Sequence, residues 1–311
     1  MIRRRRLSVS GFATAALLMA VPTGTARGQA DQPAPLDDEI KFTLSVRVEQ
    51  HLTTDVDGGG ELEVSRIPFR LETENDLTDD LTLKLILGYE LNLYDFSGAS
   101  GLGVDPWDDV HVLDLAGQLQ WAVRDDWFIF GGPIVRFARE TDASWDDAVM
   151  GGAVFGATHV FSKTLVLGAG VGVISQLEDN ALVFPVLVID WQINDNLRLV
   201  SQGRVGSLGA LGLELVYDLG SGWEVAGGFQ YEQRRFRLDS SRADAPKGIG
   251  EETTLPLWAR LSYEINENIG LDLYVGVASG ELDLQDSGGN GVASADYDPG
   301  GFIGFSARAS F

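Results

Sequence analysis

Between residues 81 and 93 the odd positions are Leu81, Leu83, Leu85, Leu87, Tyr89, Leu91 and Leu93, while the even ones include Thr82, Lys84, Glu90 and Asn92. A period of two sends one face to apolar surroundings and the other to water, which is a strand pattern and not a helical one. The same alternation runs through 40–48, 113–123, 211–219, 223–231, 255–265 and 269–277. These windows match the roughly 9 to 11 residues of a tilted membrane strand. Weaker alternation covers 62–71, 127–139, 149–161, 165–176, 182–193 and 197–205. In 62–71 the apolar phase slips between Val64 and Ile67, which predicts a bulge near Ser65 and Arg66. A last strand carries Ile303, Phe305, Ala307, Ala309 and Phe311 at every second position. The count reaches about fourteen, with twelve also possible, and an even number puts both ends of the chain on one side. The expected fold is all-β: a transmembrane, antiparallel, up-and-down β-barrel.

The connections support that topology, because outer-membrane barrels alternate short periplasmic turns with longer external loops. Tight polar connections fall at 75–80, 124–126, 162–164, 194–196, 220–222 and 266–268, and longer ones at 53–60, 95–109, 140–147, 239–252 and 285–300. Two connections, around 178–180 and 206–209, are shorter than the alternation asks. Trp121, Trp127, Trp191, Tyr217, Trp223, Tyr263 and Phe311 lie on the apolar face beside a short connection or the C-terminus. That placement predicts a periplasmic aromatic girdle.

Three further features set the class. A basic stretch Arg3 to Arg6, an apolar stretch over 11–22 and the small-residue site Gly28-Gln29-Ala30 predict a cleaved signal of the Sec type at 1–30. Residues 31–39 then form a short periplasmic segment, and 40–311 the barrel. The chain has no cysteine, which removes disulfides, thiolate metal sites and a lipid-modified N-terminal cysteine. Its formal charge is −23, and the five arginines of the signal take the mature form to about −28. Nucleic acid is excluded as a partner, since phosphates require a basic face.

With the apolar face against lipid, the other face lines the lumen. Its candidate residues are Arg47, Glu49, Lys84, Glu90, Asp114, Arg136, Arg198, Arg204, Glu214, Glu232, Arg260, Glu264, Asp272 and Arg308. Charges inside a barrel must pair or stay hydrated, so this face is either a salt-bridged interior or a polar pathway with a constriction. Gly168-x-Gly170-x-Gly172 sits in an alternating strand with no helix after it, which excludes a nucleotide fingerprint. Gly152, Gly156 and these glycines predict tight curvature or close side-chain approach. The Asp- and Gly-rich stretches 55–60 and 296–300 lack the full ligand set of an EF-hand and read as turns. His51, His111 and His159 are far apart in sequence and in no nucleophile motif, so no catalytic site, metal or cofactor is expected.

Residues 184–311 resemble an uncharacterised family of bacterial outer-membrane β-barrels known only as a domain of unknown function. The likeness rests on Phe184-Pro185-Val186-Leu187, Leu213-Glu214-Leu215-Val216-Tyr217, Leu255-Pro256-Leu257-Trp258 and the run from Tyr231 to Leu238. The fourteen-stranded fatty-acid transporters are similar in strand number but carry an N-terminal plug of several dozen residues. Arg234, Arg235 and Arg237 stand where alternation does not require charge, at the outer end of a strand. They are candidates for gripping lipopolysaccharide phosphates or for pairing with acidic loops. The C-terminal aromatic strand resembles the signal read by the barrel assembly machinery. The expected partners are therefore that machinery, outer-membrane lipid and lipopolysaccharide. The leading functional expectation is a passive channel or small-solute transporter. A structural or surface-interaction barrel with a blocked lumen is the alternative, and a lipid hydrolase a distant third.

Overall fold

The computed structural model describes residues 40–201 and 211–311. Fourteen strands run in chain order: β1 Lys41–Asp55, β2 Glu61–Thr78, β3 Leu81–Ser97, β4 Val110–Arg124, β5 Trp127–Glu140, β6 Val149–Ser162, β7 Leu165–Gln176, β8 Asp179–Gln192, β9 Leu197–Val200, β10 Leu211–Gly220, β11 Trp223–Arg237, β12 Ile249–Asn266, β13 Ile269–Gln285 and β14 Gly291–Ser310. Among the described residues each strand pairs with its sequence neighbours, and β1 pairs with β14, so the sheet closes into a barrel. The closing seam runs antiparallel from Thr43↔Ser310 to His51↔Phe302. Phe311 completes it with two backbone hydrogen bonds to Phe42, at 2.8 and 2.9 Å, and its ring stacks on Phe42 at 5.8 Å.

Closure satisfies the backbone, and alternation decides what each face meets. Val46, Val48, Leu85, Leu87, Leu115, Leu119, Leu215, Leu255, Leu257, Leu273, Val275, Ile303 and Phe305 all point outward and are exposed. A continuous apolar belt of this kind is costly in water and favourable against hydrocarbon, where a closed barrel is one of two viable spanning folds. All seven girdle residues are exposed on the outer face beside the short turns. Trp223 and Tyr263 are register partners with ring centroids 4.5 Å apart, and Trp127 stacks on His159 at 4.6 Å.

The short turns are built by local side-chain chemistry. Asn266 Oδ1 accepts the amides of Asn268 and Ile269, both at 2.9 Å, and Asn194 Oδ1 accepts those of Asn196 and Leu197 at 3.0 and 3.1 Å. These are Asx turns, which fold the chain back within four residues. Ser221 takes a φ of 57° between Gly220 and Gly222, both also left-handed. At the opposite end the strands run well past the apolar belt, so several stretches expected as loops are strand. Asp296 and Asp298 lie within β14, and the β13–β14 turn is confined to 286–290. The β7–β8 connection is as short as the sequence indicates.

The expected bulge near Ser65 and Arg66 is absent. The β2–β3 register is unbroken from Glu61↔Ser97 to Asp76↔Thr82, and the shift between β1 and β2 lies instead between His51 and Thr54. The change of phase in β2 has another cause: Leu62 and Val64 face inward, where they are 2% and 3% exposed. The lumen itself turns apolar at that level. Residues 1–39, which carry the expected signal, lie outside the described residues, and so does Arg204.

Candidate functional site

The lumen divides into two compartments. At the short-turn end a cavity of about 620 Å³ is lined by polar side chains of β1, β9, β10, β12, β13 and β14. Its centre is Arg260, whose guanidinium grips both oxygens of Glu214 at 2.9 Å and reaches Asp272 at 3.2 Å. Trp258 Nε1 donates to Glu214 at 2.9 Å, while the hydroxyls of Ser262 and Ser306 donate to Asp272, each at 2.6 Å. Arg198 makes a second bidentate pair with Asp190, at 2.7 and 2.6 Å, and Arg308 faces Glu264 at 3.3 Å near the mouth. All of these pairs join strands that are adjacent or one strand removed. They therefore line the wall and leave the space in front of it open.

Pairs on the opposite wall continue the pattern, with Arg136 bidentate to Asp114 at 2.7 and 3.0 Å midway along the lumen and Lys84 bonded to Glu74 at 2.7 Å close to the short turns. Phe130 and Phe184 lie flat over Gly156 and Gly172, where a Cβ would fall 2.1 and 2.0 Å from the rings. Glycine is what lets these rings lie flat against the wall. The close approach is to a neighbouring strand and not across the lumen.

The long-loop end is filled. Arg66 on β2 pairs with Glu252 on β12 at 2.6 Å, and Arg234 on β11 pairs with Glu90 on β3 at 2.8 Å. Glu252 also accepts hydrogen bonds from Tyr94 at 2.7 Å and Tyr297 at 3.3 Å, and Arg234 bonds Glu232 at 2.6 Å. These contacts join walls that are far apart around the ring, so they occupy the lumen. Above them sits a dry cluster around Trp107, which is 1% exposed. Its indole meets Phe96 and Phe236 edge-on, both at 5.3 Å, and Tyr94 at 5.8 Å. Leu102, Leu238, Ala245, Ile249 and Leu282 complete the packing.

The material that fills this end comes from three segments. Residues 98–109 fold inward and deliver Leu102 and Trp107. Past Tyr231 the β10-facing edge of β11 has no described β10 partner and reaches β5, where Arg237 pairs in parallel with Arg139, while β12 stays paired with β13 as far as Ile249↔Gln285. The connection 238–248 follows β11.

Of the two roles expected for Arg234, Arg235 and Arg237, the structure gives pairing with carboxylates and not a lipid-facing position. All three are buried, at 8%, 6% and 7% exposure, and none lies on the outer surface where lipid phosphates would be. Arg235 donates to the Leu177 carbonyl at 2.9 and 2.7 Å and to Glu251; Arg237 binds Glu178 at 2.7 Å and the carbonyls of Asp147 and Lys247. Four consecutive buried residues, 234–237, are what a strand shows when both of its faces are covered.

Every described lumen candidate faces inward. Arg47, Glu49, Lys84, Glu90, Asp114, Glu214 and Glu232 are buried. Arg136, Arg198, Arg260 and Asp272 are partly so, and Glu264 and Arg308 are half exposed at the mouth. Sequence reading missed Arg66, Tyr94, Trp107, Glu140, Arg242 and Glu252, which belong to the filled half. Arg66 and Arg70 do alternate with the outward Ile67 and Phe69, which is the signal that was available.

The histidines are held by packing. His51 contacts Glu49 at 2.8 Å, His111 contacts Tyr89 at 2.8 Å and Thr141 at 3.2 Å, and His159 lies between Trp127 and Phe161. No serine is among these partners. A smaller cavity of about 290 Å³ lies over the loops, with Asp105, Asp108, Asp239 and Arg242 on its walls. There Asp239 is held below the usual carboxylate range by hydrogen bonds from Ser241. Burial opposes the charge on Arg242, but Glu140 and Asp108 outweigh it and hold the guanidinium more firmly protonated than usual.

No family model matches the chain, and no curated protein matches it. Solved structures do resemble it in fold. An outer-membrane channel from Pseudomonas putida F1 is 12% identical, with 90% of this chain and 100% of that one covered and a TM-score of 0.47. A FadL homologue from Pseudomonas aeruginosa is 13% identical over 87% of this chain and 89% of its own, with a TM-score of 0.46. The Pseudomonas putida toluene transporter TodX is 13% identical over 89% and 90%, with a TM-score of 0.43. Likenesses this distant leave function to be argued from the chain's own residues.

Proposed function

We propose that this barrel is a bacterial outer-membrane channel for small polar solutes, held closed at its external end. One observation carries the reading: two connections and the side chains packed on them fill the long-loop end, whereas the short-turn end encloses an open polar space. A wall that existed only to span the membrane would have no use for a polar cavity of about 620 Å³ at its periplasmic end. The short-turn end is assigned to the periplasm by its turns and aromatic girdle. The ion pairs of Arg260 and Arg198 set the charge that a solute meets there, with water filling the space in front of them.

A blocked structural barrel is the second reading, and the cross-lumen pairs favour it. Conductance in planar bilayers separates the two. A variant with 99–106 and 239–247 replaced by short Gly-Ser linkers is expected to conduct, with cation or anion preference altered by Arg260→Gln. A folded variant of this kind that stays electrically silent would leave only the structural reading.

A further inference from the structure

Three polar groups outside the cavity remain to be explained, and they converge on one carboxylate. Glu140 ends β5, is 1% exposed, and faces the inserted segments and not solvent. Its Oε1 accepts the backbone amide of Asp108 at 2.8 Å, and its Oε2 that of Asp239 at 2.7 Å. Arg242 donates to Oε1 from Nε at 2.8 Å and again from Nη2. The same guanidinium bonds Asp108 at 2.7 Å and the Asp105 carbonyl at 2.9 Å. One wall residue thereby holds both inserted connections, and Arg242 ties the two connections to each other.

We infer that Glu140 is the latch of a movable plug, so that releasing its contacts with Asp108, Asp239 and Arg242 lets the connections 98–109 and 238–248 withdraw from the lumen. The inference rests on the channel reading and adds to it the place where closure is held. A buried carboxylate that satisfies two backbone amides and an arginine is a strong contact while it is whole, and removing either partner leaves an uncompensated charge. A plug held only by its apolar cluster would need no such residue at the wall. The second anchor is the parallel pairing of Arg237 with Arg139, which fixes the end of β11 to β5.

The absence of cysteine makes a direct test clean. The full-length barrel is refolded, its folding verified by heat-modifiable mobility, and conductance recorded for the parent, Glu140→Ala, Arg242→Ala and the double variant Arg139→Cys/Arg237→Cys. Both alanine variants are expected to raise the open probability by about tenfold or more. The double cysteine variant is expected to be silent when oxidised and to conduct when reduced, since paired β positions lie within disulfide reach. Equal conductance of the parent and both alanine variants would overturn the latch, as would a cysteine pair that does not crosslink or conducts alike in both states. The linker variant that lacks the two connections keeps the readings apart. If it conducts while the latch variants match the parent, the latch alone fails; if it is silent, the channel reading itself fails.

Discussion

In the short-turn half of the lumen, Arg260 directs its hydrogen bonds to Glu214 and Asp272 on nearby strands, and about 620 Å³ of space remains in front of them. In the long-loop half, Arg66 and Arg234 reach Glu252 and Glu90 on distant walls, and Trp107 packs above them with 1% exposure. Both halves carry inward charges at alternate positions, and both pair them. The difference lies in where the partner sits. A partner on the neighbouring strand makes a charged lining, whereas a partner across the ring makes a strut, so the same residue types give a vestibule at one end and a plug at the other. Buried struts are also the more sensitive arrangement, because losing one partner strands a charge in a dry place.

Trp107→Ala breaks the comparison at its largest contact. Truncation of a buried tryptophan costs about 3–5 kcal/mol. Because Trp107 belongs to an inserted segment, hydrogen exchange should speed up over 98–109 and 238–248 while 255–265 keeps its protection. Uniform loss of protection would mean that plug and wall are one cooperative unit.

Arg66→Met and Arg198→Met sharpen it. The first leaves Glu252 buried beside Tyr94 and Tyr297 and should lower stability by about 3–5 kcal/mol. Arg198 is 37% exposed at its side chain, and its loss should cost about 1 kcal/mol or less. Urea midpoints of the refolded barrel measure both, and equal shifts would erase the distinction between strut and lining.

Gln118 gives a smaller effect of the opposite sign. It is 1% exposed, and neither amide atom has a hydrogen-bond partner among the described residues. Gln118→Leu removes that unsatisfied group with little change in volume, so it should leave stability unchanged or raise it by about 1 kcal/mol. A loss above that in the urea midpoint would show that the amide is satisfied by internal water.

The smallest effect concerns Asp109, at the foot of the inserted connection. Burial and then the neighbouring charge of Asp108 push its carboxyl up from its ordinary value. A raised carboxyl disfavours the folded state once it is ionised, so its contribution is harmless below the ordinary value and unfavourable above the raised one. Asp109→Asn should therefore raise the thermal midpoint slightly at pH 7 and leave it unchanged at pH 3.

Much of this architecture was legible in the order of residues, because a hydrocarbon boundary forces a period of two on every strand. The fourteen strands follow from it, including the weakly alternating β6 to β8. The plug was not legible in the same way. Once the lumen becomes dry, the inward face also turns apolar, and Leu62 and Val64 then look like a slipped strand when the register is intact. Arg234, Arg235 and Arg237 looked like surface residues because three charges in four positions do not fit a wall. They fit a strand end covered on both faces, with partners from β3, β12 and the connections around 147 and 178. Those partners are distant in sequence, and no local spacing announces them.

Thiol labelling with a membrane-impermeant, water-soluble reagent tests the division of the lumen most directly. Single cysteines are placed at Ser45, which lines the short-turn cavity, at Ala138 on the β5 wall against the plug and at Ala245 within it, the last two being 2% and 1% exposed. The barrel described here predicts rapid modification of Ser45→Cys and protection of Ala138→Cys and Ala245→Cys until the protein is denatured. Comparable modification of all three in the folded barrel would contradict it.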